Sequence, residues 1–396
     1  MKLRNFMYAT MIACAFASCS KDDVVGPDGP DTAKGDADFT IQVDANNLVT
    51  KAALPTDYKL GTGEGQSYTL DGEASIKNIT LVVFDKDGKY LAHAASSTAE
   101  TKELKIAGLV PQQIQFIVFA NMSISNIPTL SASDLTGTNV TLTADYFDVA
   151  NDGLPMSSQL VTNKTLASGN NYYGYTTEES QDGTNLSTTP LPLNRNVARV
   201  EIADVFLDMA QSDYVSGSAT FQFTGVKINN AANKVKISGV DTGAGHVSYN
   251  ASDYSFYGDF SNAIEAVSQN SFTSETSPIS AKPIKAYYYV LANTQISAAD
   301  GAATTLVVEG KFSLSGAKMA GSDQVYDLAS ADATYPIVVG VTGMGTPVNI
   351  ENNKVYRITL YVAGPGKTGT GGDRANFFVK CAVADWTAVN QSAVIK

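Results

Sequence analysis

Residues 38–44 read Asp38-Phe39-Thr40-Ile41-Gln42-Val43-Asp44. Apolar side chains at 39, 41 and 43 alternate with polar ones, the period of a strand with one buried face and not that of a helix. The same period returns downstream. Ile79, Leu81 and Val83 lead through Phe84 into Asp85-Lys86-Asp87-Gly88, after which Tyr90-Leu91 resumes, as in a hairpin closed at an Asp-Gly turn. Ile114, Phe116, Val118 and Ala120 repeat the scheme, and further strands are expected over 197–207, 219–228, 284–292, 304–314, 355–362 and 375–384. Helix is expected only over 262–269 and 145–150, both short. Residues 157–190, rich in Ser, Thr, Gly and Asn, carry little apolar pattern and are expected to form a long surface excursion or the approach to a domain boundary. Strands at this spacing predict an all-β fold built of β-sandwiches, and no internal repeat points to a solenoid or propeller.

Composition narrows the function. With 396 residues the chain suits two domains, and 44% hydrophobic against 17% charged residues are enough to bury a core. The 27 basic and 39 acidic residues give a net charge of −12, and Arg occurs only at 4, 195, 199, 357 and 374. No clustered positive face is available for phosphates, which excludes nucleic acid as the expected partner. Two His and three Cys leave little from which to build a metal, haem or Cys/His nucleophilic site. An enzyme is therefore not the expected answer, and neither catalytic residues, a cofactor nor a metal are assigned.

The beginning of the chain reads as an address. Residues 1–18 carry Lys2 and Arg4, then an apolar stretch over 6–16, then small residues before Cys19, the layout of a signal peptide. Cys19 resembles the lipid-acceptor cysteine of a bacterial lipoprotein, the alternative being a small residue near an ordinary cleavage site. If Cys14 leaves with the signal and Cys19 is acylated, Cys381 alone remains and no intramolecular disulfide can form. Residues 19–37 are expected to be a lipidated, flexible tether. Its Ser20-Lys21-Asp22-Asp23 resembles the export signal of surface-displayed lipoproteins in Bacteroidota and reads equally as a solvated charged linker. Losing Lys2 and Arg4 with residues 1–18 takes the net charge from −12 to −14.

Several motifs suggest chemistry that their spacing does not support. Gly366-Lys367-Thr368 lacks the glycine of a phosphate loop, since Tyr361 stands at that position. Asp85-Lys86-Asp87-Gly88 has Lys89 where a calcium loop needs an acidic or amide ligand, and reads as a turn. His93 and His246 form no ligand pair and are expected to be two unrelated surface histidines. Tyr287-Tyr288-Tyr289 offers aromatic faces for a sugar, although in a strand these rings divide between two sides and fit cross-strand packing.

Segments spread along the chain together resemble the fimbrillin family of Bacteroidota, the shaft and accessory subunits of fimbriae. They are the lipoprotein start at Cys19, Ile79-Thr80-Leu81-Val82-Val83-Phe84-Asp85, Phe119-Ala120-Asn121 and Leu154-Pro155-Met156-Ser157. Leu193-Asn194-Arg195-Asn196-Val197-Ala198-Arg199-Val200, Asn353-Lys354-Val355-Tyr356-Arg357-Ile358-Thr359-Leu360 and Val383-Ala384-Asp385-Trp386 continue the series. The resemblance implies two transthyretin-like β-sandwich domains in tandem, expected at 38–194 and 195–396. It also implies export as a lipoprotein, then removal of the first strand by an Arg/Lys-specific surface protease. A neighbouring subunit's strand then fills the vacated groove.

The residues can support that scheme. Phe39, Ile41 and Val43 form the face of a displaceable strand. Lys51, followed by Ala52, is the expected cut; an uncut surface lysine is the alternative, and the lysine departs from the arginine of some members. Residues 19–51 hold three Lys and seven Asp, so the product would carry −10. Near the other end, Phe377, Val379, Cys381 and Val383 share one face and Phe378, Ala382, Ala384 and Trp386 the other. That alternation fits a donor strand, with 364–372 as hinge, and equally the last strand of the chain's own sandwich. The expected function is a structural fimbrial subunit supporting adhesion, first lipidated at the cell outer membrane, then part of the cell-surface fimbrium. Its expected partners are other fimbrial subunits, the processing protease, the lipoprotein export and acylation machinery, and a host or bacterial adhesion receptor. The alternatives are a surface glycan-binding lipoprotein and a tip or anchor adhesin on the same fold.

Overall fold

A computed structural model describes residues 35–45, 72–137, 141–143, 151–237, 246–250, 256–258, 265–281, 286–293, 303–339, 349–366, 377–385 and 388–395. The fold is all-β. The chain divides into two compact units, one drawing on Met1–Asn47, Ser75–Leu135 and Pro155–Leu193, the other on Leu48–Ala74, Thr136–Leu154 and Asn194–Lys396.

In the first unit, one sheet holds β1 (Ala37–Asp44), β4 (Glu103–Leu109), β9 (Gly169–Tyr173), β10 (Gly183–Ser187) and β11 (Leu191–Pro192). The other holds β2 (Ile79–Asp85), β3 (Tyr90–Ser96), β5 (Gln113–Ala120), β7 (Met156–Ser157) and β8 (Val161–Thr165). Alternation places Phe39, Ile41 and Val43 from one sheet and Leu81, Val83, Phe116 and Val118 from the other in a single buried core. The β2–β3 hairpin closes as its Asp-Gly sequence requires. Gly88 takes a left-handed φ of +81°, and Asp85 Oδ1 accepts the backbone N–H of Asp87 and Lys89, each at 2.9 Å.

The second unit has two large sheets and one two-stranded sheet among the described residues. One contains β13 (Ala198–Leu207), β17 (Phe256–Gly258), β19 (Ile279–Ser280), β20 (Ala286–Val290), β23 (Lys354–Val362), β24 (Phe377–Asp385) and β25 (Ala388–Ile395). Its order is β17-β20-β13-β23-β24-β25, with β19 also on β13. The other runs β16 (His246–Asn250), β14 (Tyr214–Ala232), β21 (Thr305–Met319), β22 (Val325–Val338), with β18 (Val267–Phe272) also on β14. Short strands β6 (Thr141–Thr143), β12 (Asn194–Arg195) and β15 (Lys234–Lys236) complete the set, β6 pairing with β15. Tyr288, Phe221, Phe312, Tyr335, Ile358 and Leu360 are core residues here. Tyr288 satisfies its hydroxyl on the Val226 carbonyl at 2.8 Å, as a buried phenol must.

Two expectations change. Of the helix expected over 262–269, residues 267–269 lie in β18, because Gln269 is buried and committed at both ends of its amide. Its Oε1 accepts the Met209 N–H and its Nε2 donates to the Ser277 carbonyl, both at 2.8 Å. The helix expected over 145–150 lies outside the described residues. Part of the expected excursion over 157–190 is instead strand, β8, β9 and β10. Helix among the described residues is limited to Ala132–Thr136 and two single 3-10 turns.

Candidate strand-exchange site

β1 is an interior strand. It pairs antiparallel with β4 over Ala37–Gln42 on one side, and on the other parallel with β9 over Ala37–Ile41 and then with β11 at Val43 and Asp44. Phe39 lies opposite Ile106 and Asn171, and Ile41 opposite Leu104 and Tyr173. Phe39, Ile41 and Val43 are all buried. Burying three such side chains is worth about 5–9 kcal/mol, comparable to the net stability of a whole domain.

Polar contacts hold the same strand at its upstream end. The Gly35 N–H donates to the Gly108 carbonyl at 3.1 Å and the Gly169 N–H to the Asp36 carbonyl at 2.9 Å. Lys105 Nζ lies 2.7 Å from Asp38 Oδ2, and this hydrogen-bonded ammonium holds the Asp38 carboxyl below its ordinary value. Asn171, fully buried, donates from Nδ2 to the carbonyls of Asp38, Ala167 and Gly169 and accepts the Ala167 N–H at Oδ1. At the other end of the bed the Tyr175 hydroxyl donates to Glu103 of β4, and burial together with that carboxylate raises the phenol well above its ordinary value.

Cys19, Lys51, Ala52 and Trp386 lie outside the described residues. Phe377, Val379, Cys381 and Val383 lie on β24, in register with Val362, Leu360, Ile358 and Tyr356 of β23. On its other side β24 pairs with β25, Val379 opposite Ile395 and Cys381 opposite Ala393. In the single chain, therefore, β24 has a strand on each side. β25 was not foreseen, because Asn390, Gln391 and Ser392 interrupt its apolar pattern. Asn171 was also missed, since a polar run of Gly, Asn and Tyr gives no sign that its amide is buried.

The other candidates separate from this bed. Tyr288 and Tyr289 are buried, so neither ring can stack on a sugar; Tyr287 meets Tyr289 edge-on at 5.6 Å, a contact between neighbours on one face of the same strand. His93 is half-buried, with Nδ1 2.7 Å from Tyr90 Oη, and burial lowers its pKa. Among the described residues no group of three or more His, Cys, Asp or Glu could hold a metal ion. Within the second unit a buried ionic cluster joins Glu73, Arg199, Glu201 and Arg357. Burial pulls the guanidinium of neighbouring Arg195 down to about 10. Burial acting alone would raise the Glu73 carboxyl, but the charges of Arg199 and Arg195 hold it below its ordinary value.

Comparison with known proteins agrees with this architecture. Residues 47–195 match the family model described as "Major fimbrial subunit protein (FimA)". The chain is 25% identical over 421 residues to the major fimbrium subunit FimA type-2 of Porphyromonas gingivalis, covering 99% of this chain and all of that one. It is 24% identical over 423 residues to the FimA type-3 subunit of the same organism, covering both chains completely. A crystal structure of a fimbrilin from P. gingivalis W83 superposes with a TM-score of 0.51 over 90% of this chain and 99% of that one, at 17% identity, a likeness of fold. The resemblance carried by scattered motifs is thus matched by a family model over residues 47–195 and by full-length similarity to major fimbrial subunits of P. gingivalis.

Proposed function

We propose that this subunit polymerises by strand exchange. The family implies polymerisation with other fimbrial subunits at the cell surface, a structural rather than enzymatic role. In the reading proposed here the chain is exported as a lipoprotein acylated on Cys19 and folds as two tandem sandwiches, the second built mainly from residues after 193 and joined by 48–74 and 136–154. An Arg/Lys-specific protease then cuts between Lys51 and Ala52. β1 leaves, and the C-terminal segment of a neighbour, carrying Phe377, Val379, Cys381 and Val383, takes its place.

One observation carries the reading: the first described strand is also an interior strand whose three apolar side chains fill a core. A severed β1 would be held only non-covalently, and its loss would leave two unpaired strand edges over an apolar slot. An incoming strand would restore both the ladder and the burial. β24 has its own neighbours in the single chain, so donation requires β24 and β25 to leave the end of the β23 sheet. An exchange of one filled position for another keeps the net free-energy change small.

The test is direct. The chain from Ser20 onward, treated with trypsin and run unboiled on a denaturing gel, should give a ladder of oligomers. A persistent monomer band after verified loss of β1 would reject polymerisation by this route. A chain ending before residue 375 should accept a strand but not donate one, so it should cap intact subunits as dimers; ladders of the truncated chain alone would reject the donor assignment.

A further inference from the structure

Glu73 stands in a turn at residues 72–74, where Gly72 adopts a left-handed φ of +83°. Its side chain is completely buried in the second unit. Its Oε1 lies 2.5 Å from Arg199 Nη1 and accepts the Tyr289 hydroxyl at 2.7 Å, while its backbone carbonyl accepts Arg195 Nε at 2.9 Å. Glu201 extends the cluster, its Oε2 accepting Arg199 Nε at 3.0 Å and its Oε1 forming an ion pair with Arg357, 2.7 Å from Nε. A wholly buried carboxylate persists only where charges and hydrogen bonds replace water. These partners converge on one residue of a connecting segment, and strand exchange as described makes no use of them.

Position along the chain gives them a use. Glu73 follows Lys51 by 22 residues, and the next strand is β2, which starts at Ile79 and lies between β3 and β5 of the first unit. Cutting after Lys51 creates a new chain end at Ala52. Chain ends fray until something ties them down. β1 and β2 contribute to the same core, so fraying that ran into β2 would dismantle the slot that the departure of β1 opens.

We propose that Glu73 is the fixed end of the releasable segment, a positioning residue whose buried anchorage stops fraying of the cut end before it reaches β2. This rests on the exchange reading, because the cut creates the chain end that needs holding.

The test compares the wild-type chain from Ser20 with Glu73→Ala. Each is examined uncut and after a lysine-specific protease has produced chains beginning at Ala52 or Leu60, with the severed β1 fragment still bound. Amide hydrogen exchange is read over residues 79–85. Wild type should keep its protection within about twofold on cutting, whereas Glu73→Ala should lose about tenfold or more in the cut form and under about threefold uncut. Equal losses in cut and uncut Glu73→Ala would make the residue merely structural and overturn the proposal, as would wild-type protection in the cut variant. Should Glu73→Ala fail to fold, Tyr289→Phe removes one hydrogen bond to the same carboxylate. It should show a cut-specific loss of about threefold, and no such loss overturns the proposal. Ladder formation in the wild-type samples reads exchange separately: a cut-specific loss of protection in Glu73→Ala without a wild-type ladder leaves the anchor standing and removes exchange.

Discussion

Phe39 of β1 and Phe116 of β5 meet across the first unit's core with ring centroids 5.1 Å apart and planes tilted by 57°. Phe116 in turn meets Tyr173 of β9 edge-on at 5.2 Å, so one aromatic row joins the first described strand to both sheets. Replacing Phe39 by alanine removes its end of that row and leaves a cavity that the flanking strands cannot fill. The expected loss is about 3–5 kcal/mol of first-unit stability, read by urea unfolding followed at a probe in that unit. In the cut protein the same change should lower β1 occupancy by a factor of about 100 or more and speed exchange. Unchanged stability would mean that β1 is not an essential part of the core.

Asn171 sets the register between β1 and β9 through four hydrogen bonds of one buried amide. Asn171→Ala strands the Ala167 N–H and the carbonyls that the amide served, and a buried polar group without a partner costs about 1–3 kcal/mol. The expected result is a loss of about 2 kcal/mol with faster amide exchange confined to β1 and β9. A uniform loss across the first unit would instead assign Asn171 to general packing.

How far such features could be read in advance depended on chemistry. Phe39, Leu81, Val118 and their alternating neighbours disclosed the strands because one face of each meets the core. β9 and β10 escaped because they hold only one fully buried side chain between them, Asn171, and a buried amide looks like a loop residue in sequence. The strand at 219–228 was found but proved longer, β14 running from Tyr214 to Ala232, since its outer residues are Ser, Gly and Asn held by pairing to β21. Of the site, the buried face of β1 was legible and its bed was not: Ile106, Asn171 and Leu191 are brought beside it by pairings that span up to 148 residues, from Val43 to Leu191. Arg199 and Arg357 were visible only as parts of family motifs, because nothing local announces a carboxylate partner as distant as Glu73.

That ionic cluster makes its own prediction. Glu201 bridges Arg199 and Arg357 while nearly free of solvent, so Glu201→Gln removes the charge that two buried guanidinium groups share. Removing one partner of a buried pair costs about 3–5 kcal/mol, and the loss should appear in chemical denaturation of the second unit. Replacement by leucine should be no better, since both guanidinium groups would still lack their shared anion. A variant as stable as wild type would show that Glu73 alone neutralises the cluster.

The hold on β1 should also depend on pH through Asp38 and Lys105. Lys105 holds the Asp38 carboxyl below its ordinary value of 3.8, so the folded state binds this proton more weakly than the unfolded chain. The stabilisation is therefore complete above 3.8 and is lost as pH falls through the lower, folded value. Both side chains are partly exposed, so the pair contributes less than about 1 kcal/mol and is screened by salt. In the cut protein, release of the β1 fragment should be about two- to fivefold faster at about pH 3 than at about pH 5 at low ionic strength. Lys105→Gln should remove that part of the pH dependence while leaving release at the lower pH nearly unchanged. Equal acceleration by acid in wild type and Lys105→Gln would show that other carboxylates, not this pair, govern the acid release of β1.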